Sequence, residues 1–445
     1  MIPRPPDHPY PEDPMHAHDP RGVRPPGPAP VPAPLPGPGG GRRRARVAAE
    51  HGATVTVDAP ERDRAGGFPA GAGAPAATAG AAAAKPARVG GEGGGRDRYL
   101  DLLRALALVR VVVFHTFNWA WLTYAFPSIG VMFALAGSLM AHSLKRPAGS
   151  VLRSRARRLL VPYWLFAAVV VGAMLVHGWR IHSWPRMLLW VLPLADPPRI
   201  AWAEQMTDPL WYIRTYLWLV LLSPWLLKAF RAAPRACLAA CGVLVALAQY
   251  DRLPLTEPAL TPAVDLVTFA ACWLLGFAHR DGRLDAMRAR TVLGLAALCL
   301  AAGGWFALTH PTDEGFDLGE IPLAQALWSV GFVLVLLRFR PRRLTRVPVA
   351  DGAVKLLNAR AVTVYLWHEV ALFVSVPLID RMWDVPFFEA HLPLDATWFQ
   401  FLVAWPLIGT AILLTGWAED VAARRKPHPW PAGGGGRRAR ARRRT

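Results

Sequence analysis

The chain has 445 residues, is 53% hydrophobic, carries 19 tryptophans and has a formal net charge of +19 at pH 7. So apolar a composition argues against an ordinary soluble enzyme and points to a polytopic membrane protein. The charge alone would suit nucleic acid, but no basic helix is interleaved with aromatics and no zinc-finger or RNA-binding motif occurs, so no nucleic acid is expected.

Residues 1–97 contain 19 Pro and 17 Gly. Such a segment buries too little apolar surface to offset its ordering entropy and reads as a disordered cytoplasmic tail. Its "GRRRAR" at 41–46 is either a solvated basic patch or a contact for anionic lipid. No secretory signal peptide opens the chain, because the first apolar segment begins only near Leu100.

After residue 97, apolar runs of 15–22 residues recur, and about 20 residues cross the hydrocarbon of a bilayer. The expected spans are 101–122, 128–144, 158–177, 209–228, 235–250, 263–279, 291–308, 321–338, 360–379 and 397–418. The stretch "WPRMLLWVLPLA" (184–195) is too short to cross and reads as interfacial. The expected fold is therefore all-α: a membrane bundle of about ten transmembrane helices over 98–420. A basic cytoplasmic tail, 421–445, follows it.

The connecting segments alternate in charge. Those on the side of the N-terminal tail hold 29 Lys and Arg after the tail itself, and those on the opposite side hold 5. Cationic loops stay cytoplasmic, so both termini are expected inside, and most of the +19 is a topology signal. The outer loops "THPTDEGFDLGE" and "DRMWDVPFFEAHLPLDA" are acidic by contrast. The four cysteines, Cys237, Cys241, Cys272 and Cys299, all fall in apolar segments and read as small buried hydrophobes. No CxxC pair suggests a metal site, and no metal is expected.

Within the first span, "RDRYLDLLRALALVRVVVFHTFNWAW" (96–121), Arg104, Arg110 and His115 interrupt the apolar run. Charged groups at that depth cost on the order of 2.5–3.5 kcal/mol each, and such residues lean towards function. Arg104 and His115 are eleven residues apart, almost three helical turns, so they share one face with a rise of about 16 Å. That places Arg104 near the cytoplasmic surface, where it could also snorkel, and His115 near the middle. Arg110 points about 120° away and needs its own partner or snorkels. His368 and Glu369 lie inside the ninth span; neighbours on a helix diverge by about 100°, so Glu369 is better placed to orient a histidine on another helix.

"YLDLLRALALVRVVVFH" resembles the opening of the acyltransferase-3 family of integral membrane acyltransferases, with Asp101, Arg104, Ala107 and His115 at the family's Asp-x-x-Arg-x-x-Ala and Arg-x10-His positions. The family's glycines after Asp and Arg are replaced by Leu102 and Ala105. "LRSRARRLLVPYWLF" resembles its basic loop, with Arg155 and Arg158 as the Arg-x-x-Arg pair before Pro162 and Tyr163. "PLWYIRTYLWLVLLSPWL" resembles its Leu-Trp span, and "TVYLWHEVALF" its late Tyr-Leu-x-His span with His368. The resemblance covers about 96–420. It departs in the fourth span, where many members carry a glutamate and this chain has Arg214 instead. That leaves open which carboxylate supports the histidine.

The resemblance implies O-acyl transfer in a bacterial plasma membrane, with the lipid bilayer as a partner. The donor would be cytoplasmic acyl-CoA, with acetyl-CoA the expected form, acting as co-substrate without a bound cofactor. The acceptor would be a hydroxyl of a cell-surface carbohydrate or exported small molecule. A histidine with an ordinary pKa near 6.5 suits removal of that proton, and no GxSxG elbow suggests an acyl-serine. His115 is the expected general base. Arg104, Arg155 and Arg158 are expected to bind acyl-CoA, since arginine pairs with phosphate bidentately. Asp101, His368 and Glu369 are supporting candidates. A transporter or flippase using the same buried charges is the alternative, though no internal repeat of the kind common in transporters is visible.

Overall fold

A computed structural model describes residues 98–312, 316–340 and 351–428. The tail expected over 1–97 and the basic tail beyond residue 428 lie outside the described residues. Among the described residues, ten helices have 16 residues or more. They are α1 (Arg98–Phe117), α2 (Ser128–Ser143), α3 (Ala148–Val176), α4 (Leu210–Ala232), α5 (Pro234–Gln249), α6 (Leu260–Arg280), α7 (Ala289–Thr309), α8 (Pro322–Arg338), α9 (Ala361–Trp383) and α10 (Thr397–Thr415). Each overlaps one expected span, and no β-strand occurs among the described residues. Seven helical segments are long and apolar enough to cross a membrane. The apolar helices α5 and α8, at 16 and 17 residues, are shorter than that, and α1 with its charges is not among the seven.

The chemistry of the first helix end matters for the site. Asn118 adopts φ 49°, the left-handed region, and its N–H closes on the Phe114 carbonyl at 2.7 Å. This left-handed cap stops α1 at Phe117. The expected span to residue 122 is thus cut short, and His115 sits in the last helical turn rather than near the middle of the helix.

Helices α2 and α6 cross with their backbones in close approach. A Cβ on Gly276 would lie 2.1 Å from the Ala134 carbonyl oxygen, and one on Gly137 2.3 Å from that of Trp273. Both obstacles are backbone and cannot rotate away. Gly276→Ala is expected to push the pair apart and cost about 1–3 kcal/mol, lowering the midpoint of thermal unfolding in detergent. Gly242→Ala, where a Cβ meets nothing within 4 Å, is the matched control. Equal midpoints for both variants would refute the tight crossing.

The C-terminal segment holds the start of α9. Arg360, 1% exposed, donates through Nη2 to Asp420 Oδ2 at 2.7 Å and to the His428 carbonyl at 2.8 Å. Glu419 Oε1 accepts from the Thr363 N–H at 2.8 Å and from its hydroxyl at 2.6 Å. That satisfies a backbone donor in the first turn of α9 that the helix itself leaves without a partner. Burial pushes the Glu419 carboxyl up to about 7, against the pull of these bonds and of Arg360.

The segment between α3 and α4 contains the short helix Trp184–Met187, far too short to cross a membrane. Side chains of the bundle tie it down. Trp164 Nε1 donates to the Val191 carbonyl at 2.7 Å, Trp218 Nε1 to that of Leu194 at 2.9 Å, and the Tyr163 hydroxyl to that of Leu189 at 3.3 Å. The segment ends in the short helix Glu204–Thr207, whose following residues approach α9: the Tyr365 hydroxyl donates to the Pro209 carbonyl at 3.1 Å.

Candidate functional site

Helices α1 and α9 are brought into register at the level of Arg104. Its Nη1 donates to Asn358 Oδ1 at 3.2 Å, and Asn358 Nδ2 donates back to the Asp101 carbonyl at 2.7 Å. Asn358 lies in the short helix Asp351–Ala359 just before α9, so these bonds fix α1 against the entry to α9. Farther along, His115 at the end of α1 faces Glu369 within α9. His115 Nδ1 lies 2.6 Å from Glu369 Oε1. The acid that orients the histidine is therefore not in the fourth span but on α9, next to His368.

The rest of the cluster fixes each group in turn. Glu369 Oε2 accepts from Gln205 Nε2 at 3.2 Å. His368 is fully buried, and its Nδ1 lies 2.6 Å from the Tyr365 carbonyl. A carbonyl only accepts, so Nδ1 carries the proton. Nε2 of His368 then points at Glu369 Oε1, 3.8 Å away, and the His115 and His368 rings stand 5.1 Å apart. His115 is the one member of the three open to solvent, with 26% of its side chain exposed. It faces a cleft of about 470 Å³ lined by Ala201, Glu204, Gln205, Asp208 and Glu369 as well as itself. Burial raises the Asp208 carboxyl above the usual carboxylate range, with the His115 imidazole partly offsetting it and Glu369 adding to the rise.

The expected donor-binding residues stand apart from this cluster. Arg104 also pairs with Asp101 at 3.7 Å, so Asp101 supports Arg104 and not His115. Arg155 Nη2 donates to Ser143 Oγ at 2.9 Å and to the Leu139 carbonyl at 3.3 Å, which places it at the C-terminal end of α2. Arg158 is exposed. Arg104 lies within electrostatic reach of Tyr212 and Arg158 within reach of Tyr216, and these two rings on α4 are 6.2 Å apart.

Gln205, Asp208 and Asn358 escape sequence reading because they lie in irregular connections or a short helix with no motif. Arg214 is 1% exposed and pairs with both Asp196 and Asp265. Asp265, within α6, is therefore a partner of a buried guanidinium. Arg110 is buried and stacks 4.7 Å from the Phe114 ring centroid instead of snorkelling.

The nearest ligand atoms of His115, His368 and Glu369 all lie within 4.8 Å of one another, a set that could hold a metal ion. Sequence reading, finding no CxxC pair, expects no metal.

The family model for Acyl_transf_3, an acyltransferase domain, matches residues 97–418. The chain belongs to the acyltransferase-3 family. Comparison with curated proteins gives no match, and comparison with solved structures gives none. Family and fold together make this a membrane acyltransferase: an all-helical chain whose matched region contains every one of the ten long helices. The match also includes His115, His368 and Glu369 as well as the arginines of the first span and the basic loop.

Proposed function

We propose that this acyltransferase moves an acyl group, in the simplest case acetyl, from cytoplasmic acyl-CoA to a hydroxyl of a cell-surface carbohydrate or exported metabolite, in the plasma membrane with both termini cytoplasmic. The observation that carries the reading is the 2.6 Å contact of His115 Nδ1 with Glu369 at the wall of an open cleft. With Nδ1–H donated to the carboxylate, His115 Nε2 holds the lone pair and acts as general base. The acceptor oxygen attacks the thioester carbonyl as its proton passes to Nε2. The tetrahedral intermediate then expels the CoA sulfur, which takes that proton back from the imidazolium. Glu369 keeps the tautomer and offsets the transient positive charge, while Gln205 holds its second oxygen.

Glu204, Gln205 and Asp208 suit an acceptor that offers hydroxyl donors. The carboxylates of Glu204 and Asp208 also disfavour the phosphates of CoA at that mouth. The donor is accordingly assigned to the basic side of the chain that carries Arg104, Arg155 and Arg158. Arg104→Ala is expected to weaken CoA binding about 10–100-fold, the loss of one charge-assisted contact of about 1.5–3 kcal/mol. Calorimetry on the purified protein measures this, and unchanged affinity would remove Arg104 from the donor site.

The reading as a whole is tested in a deletion strain complemented with wild type or His115→Ala at matched expression. Mass spectrometry of surface glycans and secreted metabolites should recover an acyl increment with wild type alone. Recovery with the mutant would reject His115 as base. No increment in any strain would favour transport over acyl transfer.

A further inference from the structure

We propose that His115, His368 and Glu369 bind a transition-metal ion of the Zn²⁺ class, which enters through the acid-lined cleft and blocks the site.

The argument starts from His368. Its Nδ1–H is committed to the Tyr365 carbonyl, so a neutral ring carries its lone pair on Nε2. That atom is fully buried and has no hydrogen-bond partner among the described residues. It faces the Glu369 carboxylate oxygen at 3.8 Å. A lone pair aimed at a carboxylate oxygen across a low-dielectric gap is repulsive, and a cation between them reverses the sign. A proton does this for one pair of atoms. A divalent ion does it for His368, Glu369 and His115 together.

The donor set selects the ion. Two imidazoles and one carboxylate match zinc and its borderline neighbours, whereas calcium and magnesium prefer oxygen throughout. Bonds of about 2.0–2.2 Å at tetrahedral angles place ligand atoms about 3.3 Å apart. The three atoms here lie within 4.8 Å, with His115 and Glu369 at 2.6 Å, so small side-chain rotations suffice. The supporting contacts are also of the kind that metal ligands use. A backbone carbonyl fixes the far nitrogen of His368, and an amide holds the second oxygen of Glu369. The fourth position falls towards the exposed side of His115 and the cleft. Glu204 and Asp208 line the approach and concentrate cations there.

Binding has a chemical consequence. Once His115 Nδ1 ligates the ion, the neutral ring must carry its proton on Nε2, so no lone pair remains there to accept a proton. The inhibition, though not the binding, rests on His115 acting as base.

The test uses the full-length protein in lipid nanodiscs, stripped with EDTA and titrated with Co²⁺ as a visible-absorption probe, then with Zn²⁺ in competition. Wild type should bind one ion that His368→Ala and Glu369→Gln each weaken by more than about tenfold, while His142→Ala, on the surface beside Arg280, leaves it unchanged. Glu369→Gln keeps the side-chain volume and guards against misfolding of the alanine variant; size-exclusion profiles check both. Equal binding by wild type and both site variants, or no competition by millimolar Zn²⁺, would overturn the site. Zn²⁺ should also stop release of CoA thiol from acyl-CoA, reversibly with EDTA. Loss of thiol release on EDTA treatment, restored by Zn²⁺, would overturn the blocking role. Binding without inhibition would leave the metal site standing and count against His115 as the base.

Discussion

His115→Ala is expected to lower acyl transfer by about 10²–10⁴-fold with folded protein unchanged, the usual contribution of a positioned general base. Glu369→Gln should fall in the same direction, because an amide cannot stabilise the imidazolium and no longer enforces proton placement on Nδ1 of its 2.6 Å partner. The two residues act as one unit, so the double variant should be little worse than His115→Ala alone. Release of CoA thiol in proteoliposomes measures all three rates. Full activity in Glu369→Gln, or additive losses in the double variant, would mean that the pair does not work together. His115 is 26% exposed and its loss opens space at a cleft instead of a core, so stability should change little.

The second large effect is on stability. Arg214→Leu removes the common partner of Asp196 and Asp265. Breaking a buried ion pair from one side costs about 3–5 kcal/mol, because the other charge stays behind. Here the lower part of that range applies, since Asp265 is 25% and Asp196 44% exposed and water screens part of their charge. Thermal unfolding in detergent should show a marked drop, and Arg214→Leu with Asp265→Leu should recover most of it. A single variant as stable as wild type would show that the triad contributes nothing net. The triad also supplies the physical sense of the fourth span, where this chain buries a guanidinium. The guanidinium ties α4 to α6 and to the segment that delivers Gln205 and Asp208 to the cleft.

Some of this was legible from the chain alone. Each expected span overlaps one observed helix because runs of Leu, Val, Ala and Trp with few charges have no other way to satisfy their backbone in an apolar medium. The first-span pattern Asp101, Arg104, His115 singled out the helix that carries the site. It did not show where that helix ends: a left-handed Asn118, a single-residue conformation, cuts it two residues after His115. Adjacency of His368 and Glu369 was likewise visible, and their divergence on a helix correctly turned Glu369 towards another element.

The amino-acid sequence by itself determined the family and the all-helical class and singled out candidate side chains, since these follow from local periodicity and from short motifs. The tertiary structure decided which of those side chains meet. His115 and Glu369 are 254 residues apart, Gln205 reaches them from a connection without periodicity, and Arg214 finds Asp196 and Asp265 on two separate segments. Such pairings depend on helix register and crossing, set here by the Arg104–Asn358–Asp101 bonds and by backbone contact at Gly137 and Gly276. Hydropathy is blind to both, because it records how apolar a helix face is and not which neighbour that face will touch.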